Sequence, residues 1–222
     1  MRIHSALVLS LVLVAANLAL AAEPAAEPKV ETISAPPATV PGAIAGMLQA
    51  TGYRVLAPGG SPLVQIWLGK DVPVSGKKEV EGANYPALTP GVLLGVISFS
   101  TATKDFRSQP IKPGTYALRY ELLPNDGNHM GVAPDRDFLL LVPVADDPGP
   151  AKILSYQELV KLSSRAAGSS HPVVFSMPAA DKRTLPAAYT DANGYIIFAA
   201  QLATTVGDLP VAMIVKGVSM SF

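Results

Sequence analysis

One short segment of the sequence holds most of the residues that could do chemistry. Residues 125–137, which lie between two predicted strands, contain one histidine, three aspartates, two asparagines and one arginine. Carboxylate, amide and imidazole groups ligate cations, and a polar loop on a rigid β scaffold is a common place for a binding site. The candidate ligand-binding residues are Asp126, Asn128, His129, Asp135, Arg136 and Asp137.

The same residue types also form tight turns, which is the alternative interpretation of this segment. Asn and Asp side chains bond to nearby backbone groups, and Asp126-Gly127 supplies a glycine that tolerates positive φ. The spacing does not match an EF-hand, which needs regularly placed acidic or amide ligands and a closing glutamate. No catalytic residue is therefore assigned and no cofactor is predicted. A divalent cation in the 125–137 loop is left open.

Aromatic residues offer a second kind of binding surface. Trp67 shares the more polar face of its predicted strand with Gln65, and an exposed tyrosine beside it would complete a platform for sugar rings. Tyr116 and Tyr120 share a strand face with two leucines, which predicts a core position for both. A core position is also the favoured interpretation for Trp67.

Composition and missing motifs exclude several functional classes. The chain of 222 residues has no cysteine, which excludes disulfide-stapled proteins, CxxC redox enzymes and cysteine-ligated metal sites. Basic and acidic residues number 17 each, without a basic block, so nucleic acid is not an expected partner. Glycine-rich nucleotide motifs, the G-x-S-x-G elbow and the H-E-x-x-H zinc motif are also missing from the sequence.

The N-terminus has the pattern of an export signal. Arg2 precedes an uncharged apolar run that ends in Ala19-Leu20-Ala21, which predicts a signal peptide over residues 1–21. Cleavage there leaves a protein with no predicted membrane span, located in the periplasm or outside the cell. The Pro/Ala-rich residues 22–41 are predicted to form a solvated linker, and residues 42–222 a single domain.

The rest of the chain is predicted to form many strands and one helix. Ser155 and Glu158 form a capping box before a helix over 156–167, and Gly168 ends it. Asn193-Gly194 predicts a hairpin turn, and a short helix within 42–50 is left open. Predicted strands cover 64–68, 92–100, 115–122, 137–144, 172–176, 185–190, 195–202 and 211–216. This pattern predicts a mainly antiparallel β-sandwich, immunoglobulin-like or jelly-roll-like, with one short helix.

A local resemblance points the same way. Residues 111–120 read IKPGTYALRY, and the segments DGNHMG at 126–131 and DRDFLL at 135–140 follow downstream. Over about residues 90–145 the chain resembles secreted bacterial β-sandwich proteins of unknown function. The resemblance implies a sandwich fold and export, and it transfers no catalytic residue.

Three functional hypotheses follow from these patterns. The first is an exported, non-enzymatic module that binds a protein or glycan partner in the cell envelope or has a structural role there. The second is an extracytoplasmic hydrolase that uses Asp126, His129, Asp135 and Asp137, with His171 as a further candidate. The third is a carbohydrate-binding accessory module built on Trp67 and an exposed tyrosine.

Overall fold

Twelve strands and two helices make up the described parts of the chain. The computed structural model describes residues 26–123 and 135–217. The elements are β1 (Lys29–Ile33), α1 (Gly42–Ala45), β2 (Gly52–Leu56), β3 (Pro62–Leu68), β4 (Leu93–Phe99), β5 (Thr103–Lys104), β6 (Pro110–Ile111), β7 (Gly114–Leu122), β8 (Asp137–Pro143), α2 (Tyr156–Ala167), β9 (Val174–Ser176), β10 (Ala187–Thr190), β11 (Ile196–Thr204) and β12 (Gly207–Lys216).

The strands form two main antiparallel sheets. The large sheet has seven strands in the order β1-β2-β3-β4-β7-β8-β9, the small sheet has the order β10-β11-β12, and β5 pairs only with β6. Neighbours in both main sheets follow each other along the chain, with the β5–β6 hairpin inserted between β4 and β7. This order is a meander, whereas immunoglobulin-like and jelly-roll sandwiches use Greek-key connections.

The two main sheets pack face to face and form a sandwich, as the sequence predicts. Alternate side chains of the large sheet, such as Ile66 and Leu118, share one buried cluster with Phe198 and Ala200 of the small sheet. The ring centroids of Tyr53 and Phe198 lie 5.3 Å apart across the interface. Each large apolar side chain buried in this way contributes about 1.5–3 kcal/mol to folding.

The outer face of the large sheet is covered by the two helices. Leu159 of α2 packs in a second buried cluster with Leu140 of β8, and Ile44 of α1 packs there with Trp67 of β3. The predicted capping box is present, since Ser155 accepts from the Glu158 N–H and the Glu158 side chain accepts from Ser155 N–H. This cover explains why β4 and β8 are apolar on both faces.

The predicted solvated linker over 22–41 contains a strand. Residues 29–33 form β1, which pairs with all five residues of β2. Val30 packs against the cluster between the sheets and Ile33 against the cluster under the helices. Val30 and Ile33 therefore anchor opposite faces of β1. The prolines on either side of β1 make this segment look like a linker in the sequence.

The chain that follows β1 closes over Trp67. The indole Nε1 donates to the carbonyl oxygen of Ser34 at 2.7 Å, and the Trp67 residue is 2% exposed. A side chain at Gly52 would place its Cβ 2.3 Å from that indole nitrogen, so only glycine allows the ring to lie across β2. Within residues 26–123 and 135–217, no helix is long and apolar enough to cross a membrane.

Candidate functional site

Three of the six predicted binding residues of the loop lie in the described part of the chain. Asp126, Asn128 and His129 lie outside the described residues, so their assignment stays a prediction. Asp135, Arg136 and Asp137 are described, and they stand where the chain enters β8. Their surroundings show how each of the three is used.

Asp137 is fully buried and acts as an acceptor for three neighbours. Its Oδ1 accepts from the Tyr120 hydroxyl at 2.7 Å and from the Tyr85 N–H at 3.0 Å, and its Oδ2 accepts from the Asn84 N–H at 2.7 Å. Burial, and then the hydrogen bond to Asp137, raises the pKa of Tyr120 far above its usual range. The Tyr120 hydroxyl therefore stays a donor at physiological pH. The Asp137 carboxylate, through its bonds to Asn84 and Tyr85, fixes the connection from β3 to β4 against the sheet.

Asp135 and Arg136 hold the same connection from outside. Asp135 accepts from the Asn84 side-chain amide and from the Ser176 hydroxyl, both at 3.1 Å. The Arg136 guanidinium donates to the carbonyl oxygens of Leu123 and Glu81. All three described candidates thus bond to protein groups, which is what turn and strand-entry residues do.

A convergent metal or hydrolase site is not formed by the described candidates. His171 is exposed and precedes β9, whereas Ser176, which touches Asp135, ends that strand. The strand length therefore separates His171 from Asp135. In the described residues no group of three His, Cys, Asp or Glu side chains is placed to hold a metal ion.

The predicted aromatic platform for sugar rings is not present on the described surface, because its candidate residues are buried. Trp67 is buried in the core, and Tyr116 and Tyr120 are 5% and 1% exposed. The interpretation of all three as core residues is confirmed. A carbohydrate site in this part of the chain therefore needs a different construction.

A cleft at one end of the sandwich provides a concave surface that sequence reasoning missed. It has a volume of about 690 Å³ and lies between the β2–β3 turn, β5, the β10–β11 turn and the end of β12. A shallower groove along α2 measures about 430 Å³. The cleft is lined by Ala57, Pro58, Ser61, Thr103, Lys104, Thr190, Gly194, Ile196, Lys216 and Gly217.

The cleft combines an apolar floor with a cationic, hydroxylated rim. Ala57 and Ile196 are buried, whereas Ser61, Lys104, Thr190 and Lys216 are exposed. Concave sites with a mainly apolar lining and a few convergent polar groups are typical of small-ligand binding. The rim residues come from four distant parts of the chain, so no local motif marks them in the sequence.

A buried carboxylate fixes the wall that carries Lys104. Asp105 accepts from the backbone N–H groups of Arg107 at 2.9 Å, Gln109 at 2.7 Å and Val174 at 3.1 Å. Burial raises the pKa of the Asp105 carboxyl, and the backbone N–H of Val174 opposes that rise. These bonds tie the β5–β6 hairpin to β9 of the large sheet.

The opposite wall is fixed by aromatic packing. The Phe106 and Tyr195 rings meet edge to face with centroids 5.2 Å apart, which joins the β5–β6 hairpin to the small sheet. A Cβ built on Gly217 would lie 2.5 Å from the Tyr195 ring, so the backbone after Lys216 runs directly against that ring. Both lysines therefore stand on restrained backbone.

The described part of the predicted loop, residues 135–137, and the cleft lie at opposite ends of the large sheet. The cleft lies near the end of β4, where Phe99 pairs with Gly114, whereas Asp137 pairs with Leu122 at the other end of β7. No family model, no curated protein and no solved structure matches this chain. The geometry of the cleft therefore carries the functional argument.

Proposed function

We propose that the protein is an exported, non-enzymatic binding module that holds a small ligand in the cleft. The observation that carries the proposal is that serine, threonine and lysine residues from four separate parts of the chain line one cleft together with the buried Ala57 and Ile196. Clefts of about 300–1,000 Å³ with this lining are the usual form of a small-molecule site. The ligand belongs to the cell envelope or its surroundings, because the N-terminal pattern predicts export.

Binding is favoured over catalysis by the chemistry of the rim. General acid–base catalysis needs a group that titrates near the working pH, most often histidine or a carboxyl. The described lining of the cleft consists of lysine, serine, threonine, glycine and apolar residues. These side chains supply hydrogen bonds and charge, which is sufficient for recognition.

A steric block of the cleft tests the proposal. Ligand-observed NMR on a panel of neutral, anionic and cationic sugars and amino acids should detect binders of the native protein. Ser61→Trp should abolish that binding, since Ser61 stands exposed on the cleft wall. Val206→Trp is the matched control, because Val206 is 80% exposed in the β11–β12 turn, away from the cleft.

Two results would contradict the proposal. One is a panel that gives no binder of the native protein at millimolar concentration. The other is a set of binders that Ser61→Trp leaves unchanged. Unfolding curves of both tryptophan variants confirm that each still folds.

A further inference from the structure

We infer that the cleft selects a hydroxylated ligand that carries an anionic group, such as a sugar bearing a carboxylate or a phosphate. This inference rests on the proposed function, because it names the ligand class of the same site. Three features of the cleft carry it: the sign of its charge, its hydroxyl groups and its apolar floor.

The charge of the cleft comes from two lysines on separate parts of the fold. Lys104 stands on β5 of the inserted hairpin, and Lys216 is the last residue of β12 in the small sheet. Both also line, together with Asp105, a narrow crevice that shares Lys104, Lys216 and Gly217 with the cleft. Two lysines that line one concavity repel each other, and a bound anion relieves that repulsion.

The lysine charges are not neutralised by neighbouring carboxylates. Across the described residues, neither ammonium has a carboxylate within ion-pair distance. Two acidic residues that directly follow lining residues bond to backbone groups instead: Asp105, after Lys104, accepts from three backbone N–H groups, and Asp191, after Thr190, accepts from the N–H groups of Asn193 and Tyr195. The described lining of the cleft therefore carries two lysines and no acidic residue.

The remaining lining suits a polyhydroxylated ring. The hydroxyls of Ser61, Thr103 and Thr190 both donate and accept hydrogen bonds, as sugar hydroxyls do. Pro58 and Ile196 offer apolar surface to the C–H face of a ring. A bare inorganic anion would use the lysines and leave these groups to water. A neutral sugar would leave both ammonium groups without a partner.

Isothermal titration with four probes tests the inference. The probes are D-glucuronate, glucose 6-phosphate, D-glucose and inorganic phosphate. We expect one or both sugar anions to bind at least about tenfold more tightly than D-glucose and inorganic phosphate. Binding should weaken as salt rises, because the charges are exposed and screened. The sugar anion that binds more tightly identifies carboxylate or phosphate as the natural group.

Lysine variants show whether the two ammonium groups are responsible. Lys104→Met and Lys216→Met should each weaken sugar-anion binding about tenfold, and Lys104→Arg should retain most of it. Lys78→Met is the control, because Lys78 is an exposed lysine in the β3–β4 connection at the other end of the sandwich. Unfolding midpoints of the variants should stay close to the native value, because both cleft lysines are exposed.

The outcomes separate this inference from the proposed function. If ligands from the NMR panel occupy the cleft but the four probes show no preference for sugar anions, the inference fails and the binding function stands. Equal binding of inorganic phosphate overturns the hydroxylated part of the inference. Unchanged affinity in both methionine variants overturns the role of charge. If no ligand binds the native protein in a way that Ser61→Trp abolishes, the inference and the proposed function both fail.

Discussion

The charged residues that this fold buries differ in how well their polar atoms are satisfied. Arg119 is fully buried, and its five N–H groups all donate: two to Asp147 and three to the carbonyl oxygens of Gly91, Gly149 and Lys152. Such saturation makes it a structural tie with no capacity left for a ligand. Glu121 lies two residues along on the same strand, and within residues 26–123 and 135–217 its carboxylate accepts only from the adjacent Leu122 N–H, at 3.4 Å.

Glu121 should make stability depend on pH in the direction opposite to most carboxylates. Burial raises the pKa of the Glu121 carboxyl to about 7, and the Leu122 N–H opposes that rise. The folded protein therefore holds this proton more tightly than the unfolded chain. The free energy of unfolding should fall as pH rises from about 4.5 to about 7, by on the order of 2 kcal/mol after allowance for solvent screening.

Glu121→Gln should remove this slope, because glutamine does not titrate and keeps the shape of the side chain. Urea unfolding at several pH values between 5 and 8 measures the effect. Glu79→Gln is the matched control, because Glu79 is exposed. A native slope that survives in Glu121→Gln would assign the pH dependence to another group.

At the scale of elements, local signals in the sequence predict structure well. The helix over 156–167 is confirmed at both ends, because its capping box and the left-handed Gly168 are encoded within four residues of each end. The Asn193-Gly194 turn is confirmed for the same reason. The predicted strands are present with shifts of a few residues at their ends.

Elements that depend on distant partners are the ones that the sequence did not reveal. β1 and β2, which pair with each other, are both missing from the predicted strands, and β5 and β6 have two residues each, too few to show a period. Within the meander, the pairing of β3 with β4 and of β8 with β9 spans long connections, so no hairpin turn marks either pairing in the sequence. The cleft has the same origin, since Ser61, Lys104, Thr190 and Lys216 meet only after the sheets pack.

The capping box offers a test at the scale of one element. Ser155→Ala removes the hydroxyl that accepts from the Glu158 N–H, which should lower the free energy of unfolding by about 1 kcal/mol. Thermal or urea unfolding measures the change. Ser170→Ala, at an exposed position beyond the end of α2, is the control and should have little effect. Equal losses in the two variants would contradict the role of the cap.

At the scale of the whole molecule, the buried polar network and the cleft lie at opposite ends of the sandwich. Asp137, Asp135 and Arg136 fix the long β3–β4 connection at one end, while the cleft opens at the other end. The sequence contains no cysteine, so the stability of the fold comes from burial and hydrogen bonds and not from disulfides. The N-terminal strand contributes to that stability, because it touches both buried clusters and lies against β10 of the small sheet.

A shortened chain measures what the N-terminal strand contributes to the whole fold. A protein of residues 36–222 lacks β1 and the Ser34 carbonyl, so the indole of Trp67, the single tryptophan, loses its hydrogen bond and part of its cover. A protein of residues 26–222 keeps both and is the control. We expect the shorter protein to be less stable by a few kcal/mol and its tryptophan emission to shift to longer wavelength, because an unpaired indole N–H admits water. Equal unfolding midpoints and equal emission in the two proteins would show that residues 26–35 are a tether after all.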